Sequence, residues 1–152
     1  MNLTYFTMNE DESYKALYDY KKGTIDPSEI YARQLCEYAV LHGVQYRLLS
    51  NEMEEDTDML IVEEVGKAKP LQDEKTYKDG ITIEFREYRS EYDMPILYKL
   101  TMNPYDNPHF KAMRYLLKDY VHIPTVGIRK RDSAEIDEDR ACYVIYVTTD
   151  TY

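Results

Sequence analysis

The sequence predicts an α+β domain spanning residues 1–152, a mainly antiparallel sheet of five to six strands packed against two or three helices. Three observations carry that expectation. Ile81–Tyr88 alternates apolar and polar residues as a half-buried strand does. Asp26-Pro27-Ser28-Glu29 places a proline in the first helical turn behind a capping residue, and Asn107-Pro108 is a second proline-at-first-turn signal. The remaining apolar runs are short and hairpin-compatible, without the regular strand–helix alternation of a parallel α/β sheet.

Taken in order, Leu3–Thr7 is β-branched and aromatic and reads as a first strand. Asn9 before Glu10, Asp11 and Glu12 resembles a helix start, and a helix over Glu10–Lys21 is expected, with Tyr14, Leu17 and Tyr18 on one face and Gly23 as its stop. The next helix starts at Asp26-Pro27 and carries Ile30 or Tyr31, Leu35, Tyr38, Ala39 and His42 at helical spacing, with Gly43 terminating it. Val44–Leu49 and Met59–Val65 read as two strands of a hairpin joined by the charged stretch 51–58. A helix over 52–65 competes, but the contiguous Met59-Leu60-Ile61-Val62 run favours a strand.

Residues 66–79 lack periodicity and read as a loop, and Gly80 precedes the alternating strand. In that strand Ile81, Ile83 and Phe85 are expected to face the core while Thr82, Glu84 and Arg86 face solvent. Ile96–Met102 should pair with it antiparallel. A helix from Pro108 to about Tyr120 should bury Phe110, Met113, Leu117 and Tyr120. Val126–Arg129 reads as a short strand, Ser133–Asp139 as an acidic turn, and Ala141–Thr149 as a central strand apolar on both faces. No internal repeat stands out in the residues.

Charge is distributed unevenly along the chain. Residues 1–64 hold 14 Asp and Glu against 5 Lys and Arg, while residues 65–152 hold 15 against 14, so nearly all of the net charge of −10 lies in the first part. Such a field repels nucleic acid and anionic membranes and favours a basic partner. Tyrosine is abundant, with 17 residues against 3 Phe and no Trp, and offers flat contact area with a polar tip. Met1–Glu10 lacks the basic and apolar regions of a secretory leader, and no stretch nears the ~18 apolar residues of a membrane span. The cytoplasm is the expected setting, the host cytoplasm for a virus-encoded chain.

Motifs of known chemistry are missing from the sequence. Its five glycines are too scattered for a phosphate-binding loop, and no serine sits in a nucleophile elbow. His42, His109 and His122 lack metal-ligand spacing, and Cys36 and Cys142 belong to no metal or redox motif and are expected to be buried thiols. The acidic runs 54–58 and 135–139 depart from the calcium-loop pattern, so neither a metal nor a cofactor is expected. Arg129-Lys130-Arg131 is expected to offset the nearby acids Glu135 and Asp137.

These residues point to a non-enzymatic acidic protein that docks on a basic surface of another protein, of the physical type that includes inhibitors of nucleic-acid-handling or regulatory proteins. The expected contacts are Glu10, Asp11, Glu12, Tyr14, Tyr18, Tyr20, Glu52, Glu54, Glu55, Asp56 and Asp58, with acids steering encounter and tyrosines anchoring it. Two alternatives stay open. One is a carboxylate-based hydrolase assembled from dispersed residues such as Glu84 and Asp137, and the other is an assembly subunit in a homo-oligomer.

Overall fold

The computed structural model describes residues 1–78 and 81–151. Asp79 and Gly80, the expected end of the loop and start of the strand, lie outside the described residues. The fold is α+β, a mixed ten-strand sheet carrying two short helices. The sheet is larger than expected and partly parallel.

The elements are β1 (Asn2–Met8), β2 (Tyr14–Tyr20), α1 (Pro27–Gln34), β3 (Tyr38–Leu41), β4 (Val44–Glu54), β5 (Thr57–Lys67), β6 (Ile81–Glu87), β7 (Ile96–Met102), α2 (Pro108–Leu116), β8 (Tyr120–Ile123), β9 (Gly127–Asp137) and β10 (Cys142–Thr151). In space the strands run β2-β1-β5-β4-β3-β9-β10-β6-β7, with β8 paired to β9. This order is one ββαβββ unit written twice. In each unit the first strand pairs antiparallel with the second and parallel with the sixth element, whose other neighbour is the antiparallel fifth. The third strand of each unit closes a hairpin with the fourth.

The repetition extends to irregularities. In the first unit the register jumps from Tyr5 opposite Tyr18 to Phe6 opposite Ala16, and in the second from Phe85 opposite Tyr98 to Arg86 opposite Ile96. Leu17 and Leu97 are thereby the extra residues of matching β-bulges. A second matched pair follows, since Leu48 and Arg131 face Val62 and Val147 while the next pairings are Ser50 with Ile61 and Ser133 with Tyr146. Leu49 and Asp132 are the residues skipped. The repeat escapes sequence inspection because the matched side chains differ in chemistry.

β3 joins the units by pairing parallel with β9, Tyr38 beside Glu135 and Val40 beside Asp137. The turn after β9 reinforces this joint. Asp139 accepts from the backbone N–H groups of His42 (2.9 Å) and Gly43 (2.7 Å), whose positive φ angles of 50° and 78° form the tight β3–β4 turn. Glu138 accepts from Arg33 and from the Tyr20 hydroxyl.

Both helices lie on one face of the sheet and pack against each other. Beneath them Leu3, Tyr5, Leu60, Ile83, Phe85, Ala134, Tyr143, Ile145 and Val147 form the core. The Asp26 carboxylate caps α1 by accepting from Ser28 N–H, as the sequence indicates. Cys36 and Cys142 are free, buried thiols. Among the described residues no helix is long and apolar enough to cross a membrane.

Several local expectations are overturned. The expected helix over Glu10–Lys21 is a β-hairpin end, because the Asp11 carboxylate accepts from Ser13 N–H and Oγ and closes a turn where a helix cap was read. The expected helix from Asp26 toward His42 stops at Gln34, and Tyr38–Leu41 becomes β3. β4 and β5 do form a hairpin, but both strands extend into the charged stretch and leave only Glu55-Asp56 as the turn. In α2 the buried residues are Pro108, Ala112 and Leu116, while Phe110 and Leu117 are 63% and 59% exposed and Tyr120 lies in β8 rather than in the helix. Ser133–Asp139 is largely strand, and Ala134–Asp137 are buried.

The two faces of α2 give a direct test of this packing. Ile145→Ala, which opens a void beneath the helices, should cost about 2–5 kcal/mol in urea unfolding, while Phe110→Ala should change stability by no more than about 0.5 kcal/mol.

Candidate functional site

Opposite the helices the two units diverge. On the second unit this face carries Glu84 and Arg86 from β6, Glu135 and Asp137 from β9, and Tyr146 from β10. Thr82, Glu84 and Arg86, expected in solvent, are each no more than 1% exposed. The cause is residues 68–78, which lie across them as a strap. Tyr77 donates its hydroxyl to Glu84 (2.5 Å), Asp73 accepts from Arg86 (3.1 Å), and Tyr77 N–H donates to the Arg140 carbonyl.

Arg140 is the hub of this cluster. Its guanidinium donates to Glu84 (2.9 Å), to Asp137 (2.8 Å) and to the Lys75 carbonyl. Glu84 and Asp137, the pair considered for hydrolytic chemistry, are thus brought together, but onto an arginine and beneath the strap. Burial alone would raise Glu84, yet the hydrogen bonds from Arg140, Tyr77 and Arg86 outweigh it and hold its carboxyl below the usual range. Asp137 goes the other way because burial dominates. Glu135, 4% exposed and hydrogen-bonded by Gln45 and Tyr146, is pushed up to about 7 by burial, which its donors only partly oppose. This arrangement holds the strap down. A pocket with room for about one water molecule lies elsewhere, among Tyr5, Arg33, Cys36, Leu48 and Leu60.

The two arginines of the basic run are also absorbed internally, though by other acids than expected, while Lys130 is exposed. Arg129 pairs with Glu87 (2.7 Å) and Arg131 with Glu37 (2.6 Å), because the strand turns both toward the helix-bearing face and away from Glu135 and Asp137. Among the described residues every arginine except Arg114 has an ion pair. Also among them, no group of three or more His, Cys, Asp or Glu side chains could hold a metal ion.

The eleven expected contact residues separate into three places. Glu10, Asp11 and Glu12 are exposed at the tip of the β1–β2 hairpin. Glu54, Glu55 and Asp56 are exposed at the β4–β5 turn, which sits beside Asn2 at the other end of β1. The length of β1, roughly 20 Å, separates these two clusters.

The tyrosines are divided by the bulge at Leu17, which reverses the side-chain alternation between Tyr14 and Tyr18. Tyr18 stacks on His42 at 4.5 Å between ring centroids. Tyr20 packs on Tyr5 and Arg33 and donates to Glu138, so it serves the joint between units. Tyr14 lies on the opposite face, where it contacts Phe6 and reaches over β1 and β5 to donate to both Glu52 carboxylate oxygens at 3.0 Å. Asp58 is half-buried on β5. Tyr14, Glu52 and Glu54 therefore share the face opposite the helices, next to the exposed Glu55-Asp56 turn, while exposed Met53 points to the other side of β4. Met53 has a sequence signal, since it interrupts the polar stretch that begins at Ser50.

Comparison of the chain with protein-family models, with curated proteins and with solved structures gave no match.

Two outcomes test the buried cluster. Arg140→Ala should cost about 3–5 kcal/mol at neutral pH, because Glu84 and Asp137 would lose their common counter-charge. For Glu135, the unfolded chain releases its proton near pH 4.5 while the folded protein keeps it to about 7. Wild-type stability relative to Glu135→Gln should therefore fall as pH rises between those values and level off above, as read by urea unfolding at stepped pH.

Proposed function

We propose that the protein is a non-enzymatic binding protein that docks its first unit on a basic surface of another protein. One observation carries this reading. Glu52, Glu54, Glu55 and Asp56 are exposed and, among the described residues, have no ion pair, although all but one of the arginines are paired. Charge left uncompensated at one strand end gives a directional negative field, which accelerates encounter with a positive surface. Met53, 74% exposed within the same segment, supplies apolar contact once the surfaces meet.

An inhibitor of a nucleic-acid-handling or regulatory protein fits this chemistry, since the basic groove of such a protein is what an acidic face would occupy. Hydrolysis by Glu84 and Asp137 is less favoured, because their shared arginine leaves neither as a free acid or base.

Reversing the charge of Glu54, Glu55 and Asp56 to lysine tests the reading without touching the core. In capture from lysate of the native organism or host, wild type should retain a basic protein at low salt that the variant loses. Once that protein is purified, the variant's association rate should drop about tenfold at low ionic strength, with a flatter salt dependence. Equal capture by both proteins, or an association rate insensitive to salt, would remove the basis for electrostatic docking.

A further inference from the structure

The repeat supplies a template for what the first unit can bind. In the second unit the outer edge of β9 is filled twice, by β8 along Gly127–Lys130 and by β3 along Glu135–Asp137. In the first unit β3 covers the matching edge of β4 only along Val44–Arg47, extended by the bond from Leu48 N–H to the Glu37 carbonyl. From Ser50 to Glu54 no strand pairs with that edge among the described residues. Among the described residues β8, which corresponds to β3, pairs with β9 alone.

An unpaired edge is a row of backbone donors and acceptors ready to take another strand. The bulge-matched register identifies the equivalents of Glu135, Ile136 and Asp137 as Glu52, Met53 and Glu54. β3 places Tyr38, Ala39 and Val40 beside the first three. A strand added in the same manner to β4 would place its successive side chains beside a carboxylate, a methionine and a carboxylate.

We propose that the outer edge of β4 over Ser50–Glu54 is a strand-addition site for an extended basic segment of a partner protein. The segment runs parallel to β4, with Lys or Arg beside Glu52 and Glu54 and an apolar residue beside Met53. This rests on the docking reading above and specifies the partner's form. Backbone hydrogen bonds supply affinity, and the alternating side chains supply selectivity. Tyr14 becomes a positioning residue, since its hydroxyl fixes the Glu52 carboxylate on the side where the cationic side chain arrives. Opposite charges paired across adjacent strands add to the contact.

The test uses the full chain and two synthetic peptides. One alternates lysine with valine, and the other has the same sequence with methyl groups on alternate backbone nitrogens, which keeps its charge but removes strand hydrogen bonds. The unmodified peptide should slow amide exchange across Ser50–Glu54 and bind at least about tenfold more tightly than the methylated one. The double variant Glu52→Lys, Glu54→Lys, with its fold checked by thermal unfolding, should lose that binding.

Equal affinity for the two peptides without amide protection overturns strand addition while leaving electrostatic docking intact. Slow exchange, in the protein without peptide, at those amides of Ser50–Glu54 that point away from β5 overturns it also, because the edge would then be filled from within. Failure of both peptides to bind does the same. The docking reading falls separately, if capture of a basic protein survives charge reversal of Glu54, Glu55 and Asp56.

Discussion

The parallel pairing of β3 with β9 is the contact on which the rest of the architecture rests. Three residues of β3 bridge two five-stranded units into one sheet, and a short parallel pair is a weak device for that task on its own. The turn after β9 strengthens it. Asp139 holds the two amides of the β3–β4 turn, and Glu138 holds Arg33 and Tyr20. Hydrogen bonds with an ionised partner are stronger than neutral ones, so a few of them compensate for a short ladder. The acids of the second unit are consequently structural at this joint, and no ligand need be invoked to account for them.

Electrostatics at the surface follows from electrostatics in the interior. Arg86 and Arg140 are committed to Glu84, Asp73 and Asp137 beneath the strap, and Arg129 and Arg131 to Glu87 and Glu37. Cations spent this way cannot neutralise the exposed acids of the β4–β5 turn. The first unit's face opposite the helices bears Thr4, Phe6, Met59 and Ile61 at positions where the second unit has Glu84, Arg86, Val144 and Tyr146. One unit thus has a charged face that needs a cover, and the other has a largely apolar one closed over by Tyr14.

Much of the strand content was legible in the residues. Ile81–Glu87, Ile96–Met102 and the central Cys142–Thr151 strand announce themselves by alternation or by continuous apolarity, and Asp26-Pro27 marks its helix start. Misreadings arose where local signals serve two structures. Asn9 through Glu12 suits a helix cap and an acidic hairpin turn equally, and only the pairing of Tyr14–Tyr20 with β1 decides. Phe110 and Leu117 mark an apolar helix face that tertiary packing leaves outside, because Ala112 and Leu116 give α2 a closer approach to the sheet. The burial of Glu84 and Arg86 depends on a strap with no periodicity of its own. Of the candidate contacts, the acids were identifiable by type, but the roughly 20 Å between their two clusters depends on strand direction. The bulge at Leu17, which sends Tyr14 and Tyr18 to opposite faces, has no local signature either.

That bulge and its counterpart at Leu97 bear on how such a chain can change. An inserted strand residue cannot be gained or lost gradually, because each step would exchange the buried and exposed sides of everything beyond it. Side chains on either side can drift from threonine to glutamate or from phenylalanine to arginine while the backbone irregularity stays in place. The two halves therefore share in their kinks a backbone likeness that their residues do not show.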